Sequence, residues 1–169
     1  MNAGIKLGIA VVVALSALAA GQFASKAVRK IYEDHKEASR SETTKDPVEL
    51  SKKLTRAQFG DVLKKISDDI NKTLPSQADS VTRIDSTSVG PGLRLTYMHT
   101  LIGQDALRVT KEQLILNLES QIKNGVCTMP QVRMFVENNV EMIYRYRREN
   151  GEYVGEISVL PSRDCARSR

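Results

Sequence analysis

The uncharged stretch from Leu7 to Ser25, with Lys6 in front and Lys26, Arg29 and Lys30 behind, constrains this chain more than any other feature. Wound as a helix at about 1.5 Å per residue it would be roughly 28 Å long, close to the ~30 Å hydrocarbon core of a bilayer. It therefore divides the chain. Residues 1–30 read as a membrane-directing segment, and the compact domain must come after them. Two fates fit. A retained helix would make a single-pass anchor. Cleavage after Ala17-Leu18-Ala19 would release a soluble periplasmic protein. The apolar run continues through Ala20, Gly21, Phe23 and Ala24, long for a signal-peptide core, and this favours the anchor. No cysteine lies near the run, so a lipid-modified bacterial N-terminus is excluded.

Charge and cysteine content then bear on location. Four of the five net positive charges fall on Lys6, Lys26, Arg29 and Lys30, and the tail 161–169 is also basic. The intervening domain is nearly neutral. A nucleic-acid binder concentrates basic charge on its folded domain, so that class of partner is excluded. Lys26, Arg29, Lys30 and Lys36 outweigh Lys6, which by the positive-inside rule favours a cytoplasmic domain. The cysteines point the other way. There are two, Cys127 and Cys165, with no C-x-x-C spacing, and two histidines, His35 and His99, too few ligands for a zinc site. In an exported domain an even count reads as one disulfide, the alternative being two separate buried thiols. Export is the reading adopted. It places the protein in the inner membrane, single pass, with the C-terminal domain in the periplasm.

Residues 31–58 read as a charged linker and helix, with Asp46-Pro47 as a cap followed by proline at the first helical position. From Phe59, the residues Leu63, Ile66, Ile70 and Leu74 follow a helical period that Pro75 ends. Val81–Val89 and Leu93–His99 alternate around Gly90-Pro91-Gly92, a hairpin signature. Thr110-x-x-Gln113 has capping-box spacing before Leu114, Leu118 and Ile122, and Asn124-Gly125 supplies a stop. Thr128-x-x-Gln131 repeats the box ahead of Val132, Phe135 and Val136. Val140–Arg148 and Tyr153–Val159 then flank Asn150-Gly151, a turn in which both residues take positive φ. Two hairpins separated by helices predict an α+β fold. Its expected sheet has four antiparallel strands, with the helices on one face and the N-terminal transmembrane or signal segment in front. The expected divisions are 1–30, 31–58, 59–165 for the globular domain, and a basic tail at 166–169.

No residue set carries catalysis. His99 shares a strand face with Leu93, Leu95 and Tyr97, which suits a packed histidine better than a base. Asp68 and Asp69 point about 100° apart on a helix and do not pair. No phosphate-cradling glycine loop occurs. Asn71-Lys72-Thr73 is a formal glycosylation triplet read as chance. The candidate binding face is basic: Arg145 and Arg147 alternate away from Tyr144 and Tyr146, with Arg148 following and Arg94 joining from the other hairpin. Tyrosine and arginine are favoured interface anchors, so such a face suits an anionic surface or an envelope protein. The bland alternative is a half-buried strand with its arginines in solvent beside Glu141 and Glu156.

The pattern Val126-Cys127-x-x-Pro130-x-x-Arg133, then Val140-Glu141-Met142-Ile143-Tyr144-Arg145-Tyr146-Arg147, then Gly151, Val159 and Asp164-Cys165 resembles small membrane-anchored envelope proteins of Gram-negative bacteria. The resemblance implies an envelope-facing domain whose two cysteines pair. It implies no activity, cofactor, metal or catalytic residue. The expectation is a non-enzymatic accessory module of the cell envelope, held to the membrane through residues 7–25 and acting by binding. A soluble periplasmic binder and an enzyme with an unrecognised site are the alternatives.

Overall fold

A computed structural model describes residues 26–30, 33 and 46–165. The expected anchor at 7–25, most of the linker and the basic tail at 166–169 lie outside the described residues. None of the described helices is long and apolar enough to cross a membrane.

Helix α1 (Pro47–Lys52) starts where Asp46 accepts the Val48 N–H, with proline at a position whose N–H would be unpaired anyway. Helix α2 (Arg56–Asn71) opens on a capping box between Thr55 and Gln58 that the expectation beginning at Phe59 did not include. It buries Phe59, Val62, Leu63, Ile66 and Ile70. Strand β1 (Ser76–Gln77) precedes the hairpin of β2 (Thr82–Gly90) and β3 (Arg94–Leu101). Gly92 and Leu93 take positive φ in the turn between them. A 3₁₀ turn (Gln104–Arg108) leads to α3 (Lys111–Thr128), capped by the expected Thr110–Gln113 box.

Here the expectation fails locally. Helix α3 runs through Asn124-Gly125 instead of stopping, because Gly125 and Val126 are buried against the core and packing outweighs the glycine. The helix ends at Met129, extended at ψ 125° ahead of Pro130, as the residue before a proline tends to be. Thr128 therefore caps nothing and donates to the Asn124 carbonyl. A 3₁₀ turn (Pro130–Val132) and α4 (Arg133–Glu137) follow. Strands β4 (Glu141–Arg148) and β5 (Tyr153–Val159) form the second hairpin, and α5 (Pro161–Asp164) closes the described chain. In that hairpin only Gly151 has positive φ. Its N–H donates to the Arg148 carbonyl while the Arg148 N–H donates to Glu152, a longer loop than a two-residue turn.

The sheet has five strands in the order β1-β2-β3-β4-β5, not four, and it is mixed. Both hairpins are antiparallel, but the inner strands β3 and β4 run parallel, with Leu95 beside Met142 and Tyr97 beside Tyr144. The physical reason is the connection. Residues 102–140 carry α3 and α4 over one face, and such a crossover returns the chain in the direction it left. The helices do lie on one face, α2 over β2 and α3 over β5. A single core joins Phe59, Leu63 and Ile66 of α2, Leu118 and Ile122 of α3, and Leu95, Tyr97, Met142 and Tyr144 of the sheet. Leu50 of α1, with Ala27 and Val28 from residues 26–30, belongs to the same core.

Candidate functional site

The parallel register sets the arginines of the open face. Arg94 lies beside Glu141, Met98 beside Arg145, and Thr100 beside Arg147. Arg94, Arg145 and Arg147 therefore share that face. Each already meets a carboxylate. Arg94 Nε donates to Glu141 at 2.7 Å, Arg145 Nη2 lies 2.8 Å from Glu156, and Arg147 Nη2 lies 3.1 Å from Asp85. Asp85 sits at a β-bulge and also accepts from Arg83 Nε at 2.6 Å and from Thr100. Burial raises its carboxyl, but hydrogen bonds from Thr100, Arg83 and Arg147 outweigh this and hold it below the usual range. Ser158 and Arg94 hold Glu141 low in the same way.

Arg148 is not brought to this face. It points to the helix side, where its head donates to the carbonyls of Ala106 (2.7 Å) and Val109 (3.1 Å) while Nε reaches Glu152. The alternation of a strand carries the reason: Arg148 follows Arg147 and faces the opposite way. Its side chain is only 14% exposed.

His99 is fully buried, as its strand face implied. Its ring stacks on Tyr146 (4.8 Å between centroids) and on Tyr144 (6.0 Å). Neither ring nitrogen reaches a partner with hydrogen-bond geometry. Burial lowers its pKa to about 4, and the Tyr97 and Arg145 backbone and the Asp85 carboxylate offset that only in part. No part of the ring is open to solvent. Among the described residues no group of three His, Cys, Asp or Glu side chains could hold a metal ion.

A concavity lies away from both the arginine face and His99. A groove of about 730 Å³ runs between the end of α3, α4 and α5. Val126, Met129, Pro130, Val136 and Pro161 make its apolar lining, and Arg133, Glu137 and Asn139 add polar groups. The Cys127–Cys165 disulfide, formed as expected, lies in its wall. Glu137 is shared by Arg133 and Lys52, each at 3.7 Å. Asn139, left-handed at φ 52°, accepts the Ser162 N–H at 2.9 Å and so joins the end of α4 to α5. Sequence reasoning missed this groove. Its residues come from element ends that no local pattern brings together. One trace of it was visible: Val126, Cys127, Pro130, Arg133 and Cys165, five positions of the envelope-protein pattern, all line the groove.

No protein-family model matches the sequence, and no curated protein is similar to it in sequence. Two solved structures share the fold. One is a protein from Pseudomonas aeruginosa described as secreted, at 14% identity and a TM-score of 0.54, over 64% of this chain and 94% of the other. The second is the pilotin EpsS of the Vibrio vulnificus type 2 secretion system, at 16% identity and a TM-score of 0.52, over 64% of this chain and 93% of that one. At these identities the likeness is one of fold: the domain is similar in architecture to a secreted protein and to a secretion-system pilotin.

Proposed function

We propose that this chain is an exported accessory protein of a Gram-negative cell envelope that acts by binding another protein, with the groove beside the disulfide as its contact surface. The observation that carries the proposal is the groove itself: apolar lining, a few convergent polar groups, and a covalently bridged wall. The fold neighbours support an envelope setting, since one is described as secreted and the other is a pilotin of a type 2 secretion system. A disulfide also suits an oxidising compartment. In this proposal residues 7–25 tether the domain to the inner membrane and the domain faces the periplasm. The groove is preferred to the arginine face because each open-face guanidinium already has a carboxylate partner, so an anionic ligand would have to displace it.

Site-specific photo-crosslinking in cells tests this. A benzophenone amino acid in place of Val136 is expected to give a discrete protein adduct, and one in place of Arg145 is not. An adduct from position 145 with none from 136 would move the contact surface to the sheet and end the groove proposal.

A further inference from the structure

Half of the groove's wall stands on two segments that the disulfide ties together: Val126, Cys127 and Thr128 at the end of α3, and Pro161, Ser162 and Cys165 around α5. Helix α5 has four residues, too few to persist without tertiary support. Apart from the bridge, the support is slight. Pro161 is buried, the Ser162 N–H meets Asn139, Arg163 Nη2 donates to the Ser158 carbonyl at 3.3 Å, and Lys123 lies 3.3 Å from Asp164. The remaining Asp164 bonds go to Leu160 and Arg163, within its own segment. A partly exposed ion pair and two exposed hydrogen bonds are weak ties. The sheet, by contrast, is held by the core that α2 and α3 cover; Cys165 packs against the edge of that core and Cys127 is not part of it.

We infer that the Cys127–Cys165 bridge is a redox latch on the groove: oxidised, it closes α5 onto the end of α3 and completes the wall; reduced, it frees α5 and opens the groove while the sheet stays folded. As a docking gate this rests on the reading of the groove given above, but the latch itself does not. Both cysteines are half-buried, so a small dithiol can reach them. One thiolate of the reductant attacks a protein sulfur to form a mixed disulfide, and its second thiolate displaces that bond. Two electrons and two protons pass to the protein, Cys127 and Cys165 become thiols, and the reductant leaves as a cyclic disulfide. The groove would then be complete only where the bridge can form, and a chain retained in a reducing compartment would be unable to dock.

Amide hydrogen exchange on the full chain, before and after dithiothreitol, tests the latch. Exchange in 160–165 and 126–130 is expected to quicken at least tenfold, while 94–101 and 141–148 stay within about twofold. The double variant Cys127→Ser, Cys165→Ser should match the reduced protein with no reductant present. Unchanged exchange at 160–165 in either form would overturn the inference. So would loss of protection in the strands, which would make the bridge a support of the whole domain. Failure of the Val136 cross-link would count against docking alone and leave the exchange result standing.

Discussion

At the scale of single residues, His99 makes the fold acid-sensitive. Its imidazole is neutral in the folded chain because burial depresses its pKa to about 4, whereas an unfolded histidine titrates near 6.5. As pH falls below 6.5 the unfolded state takes up a proton that the folded state refuses, so stability is lost between about 6.5 and 4. Between pH 7 and 4.5 that loss amounts to about 2 kcal/mol. The lowered carboxylates act in the same direction but further down, Asp164 being held at about 2 by Arg163, by the Leu160 N–H and by Lys123 against the effect of burial. Urea unfolding at pH 7 and 4.5 should show the slope, and His99→Phe, which keeps the stacking and drops the titrating nitrogens, should flatten it. An equal slope in both proteins would place the sensitivity elsewhere. Asn71 illustrates a different residue-scale point. Its side chain accepts the Thr87 N–H at 2.6 Å and donates to the Thr87 carbonyl at 2.9 Å. Its glycosylation triplet therefore marks a structural amide already engaged at both ends.

At the scale of elements, both sides of the sheet carry features that hinder further pairing. Beyond its short contact with β1, strand β2 would present Thr87 bare, and Asn71 fills that place as a neighbouring strand would. On the other side, β5 carries an extra residue, Val154, between the partners of Tyr146 and Arg147, and Arg163 donates to the Ser158 carbonyl. Bulges and capped carbonyls of this kind keep an edge from recruiting another chain. Gly155 sets how closely α3 lies on β5. A Cβ there would meet Lys111 Cγ at 3.2 Å and Leu114 Cδ2 at 3.4 Å. The lysine stem can yield, so Gly155→Ala should cost less than about 1 kcal/mol, whereas Gly155→Val must push α3 away and should cost about 1–3 kcal/mol. Thermal unfolding of the two variants checks the ordering, and a harmless valine would show that α3 is not seated on that strand as tightly as the distances imply.

At the scale of the whole molecule, the crossover from β3 to β4 organises the fold, and Arg148 pins its start. The guanidinium joins the end of β4 to the carbonyls of Ala106 and Val109, which open the crossover. Arg148→Met would leave those carbonyls without that donor and should cost about 2 kcal/mol. Arg145→Met breaks an exposed pair with Glu156 and should cost less than about 1 kcal/mol. Denaturant titration of the two variants distinguishes them, and equal losses would contradict the separate roles assigned here. The same pair of residues shows how far sequence reading reaches. Alternation correctly sets Arg145 and Arg147 on one face, but grouping Arg148 with them by adjacency crosses the pleat.

Most helices and both hairpins were legible in the chain because their causes are local: apolar side chains at helical or alternating spacing and a glycine where φ must be positive. The threonine–glutamine spacing marks a cap at Thr110 but misleads at Thr128, and the cysteine pair, 38 residues apart, was legible only as an even count. The minimal strand β1 escaped notice because two residues carry no periodicity. Parallel pairing of β3 with β4, the continuation of α3 through Gly125, and the groove beside the disulfide escaped for another reason. Each is settled by contacts between residues far apart in the chain, where a crossover's path and the burial of one helix face outweigh the preferences of the residues at the spot. A turn or a cap can be read from a few neighbouring letters; a surface assembled from the ends of three helices exists only once the chain has packed.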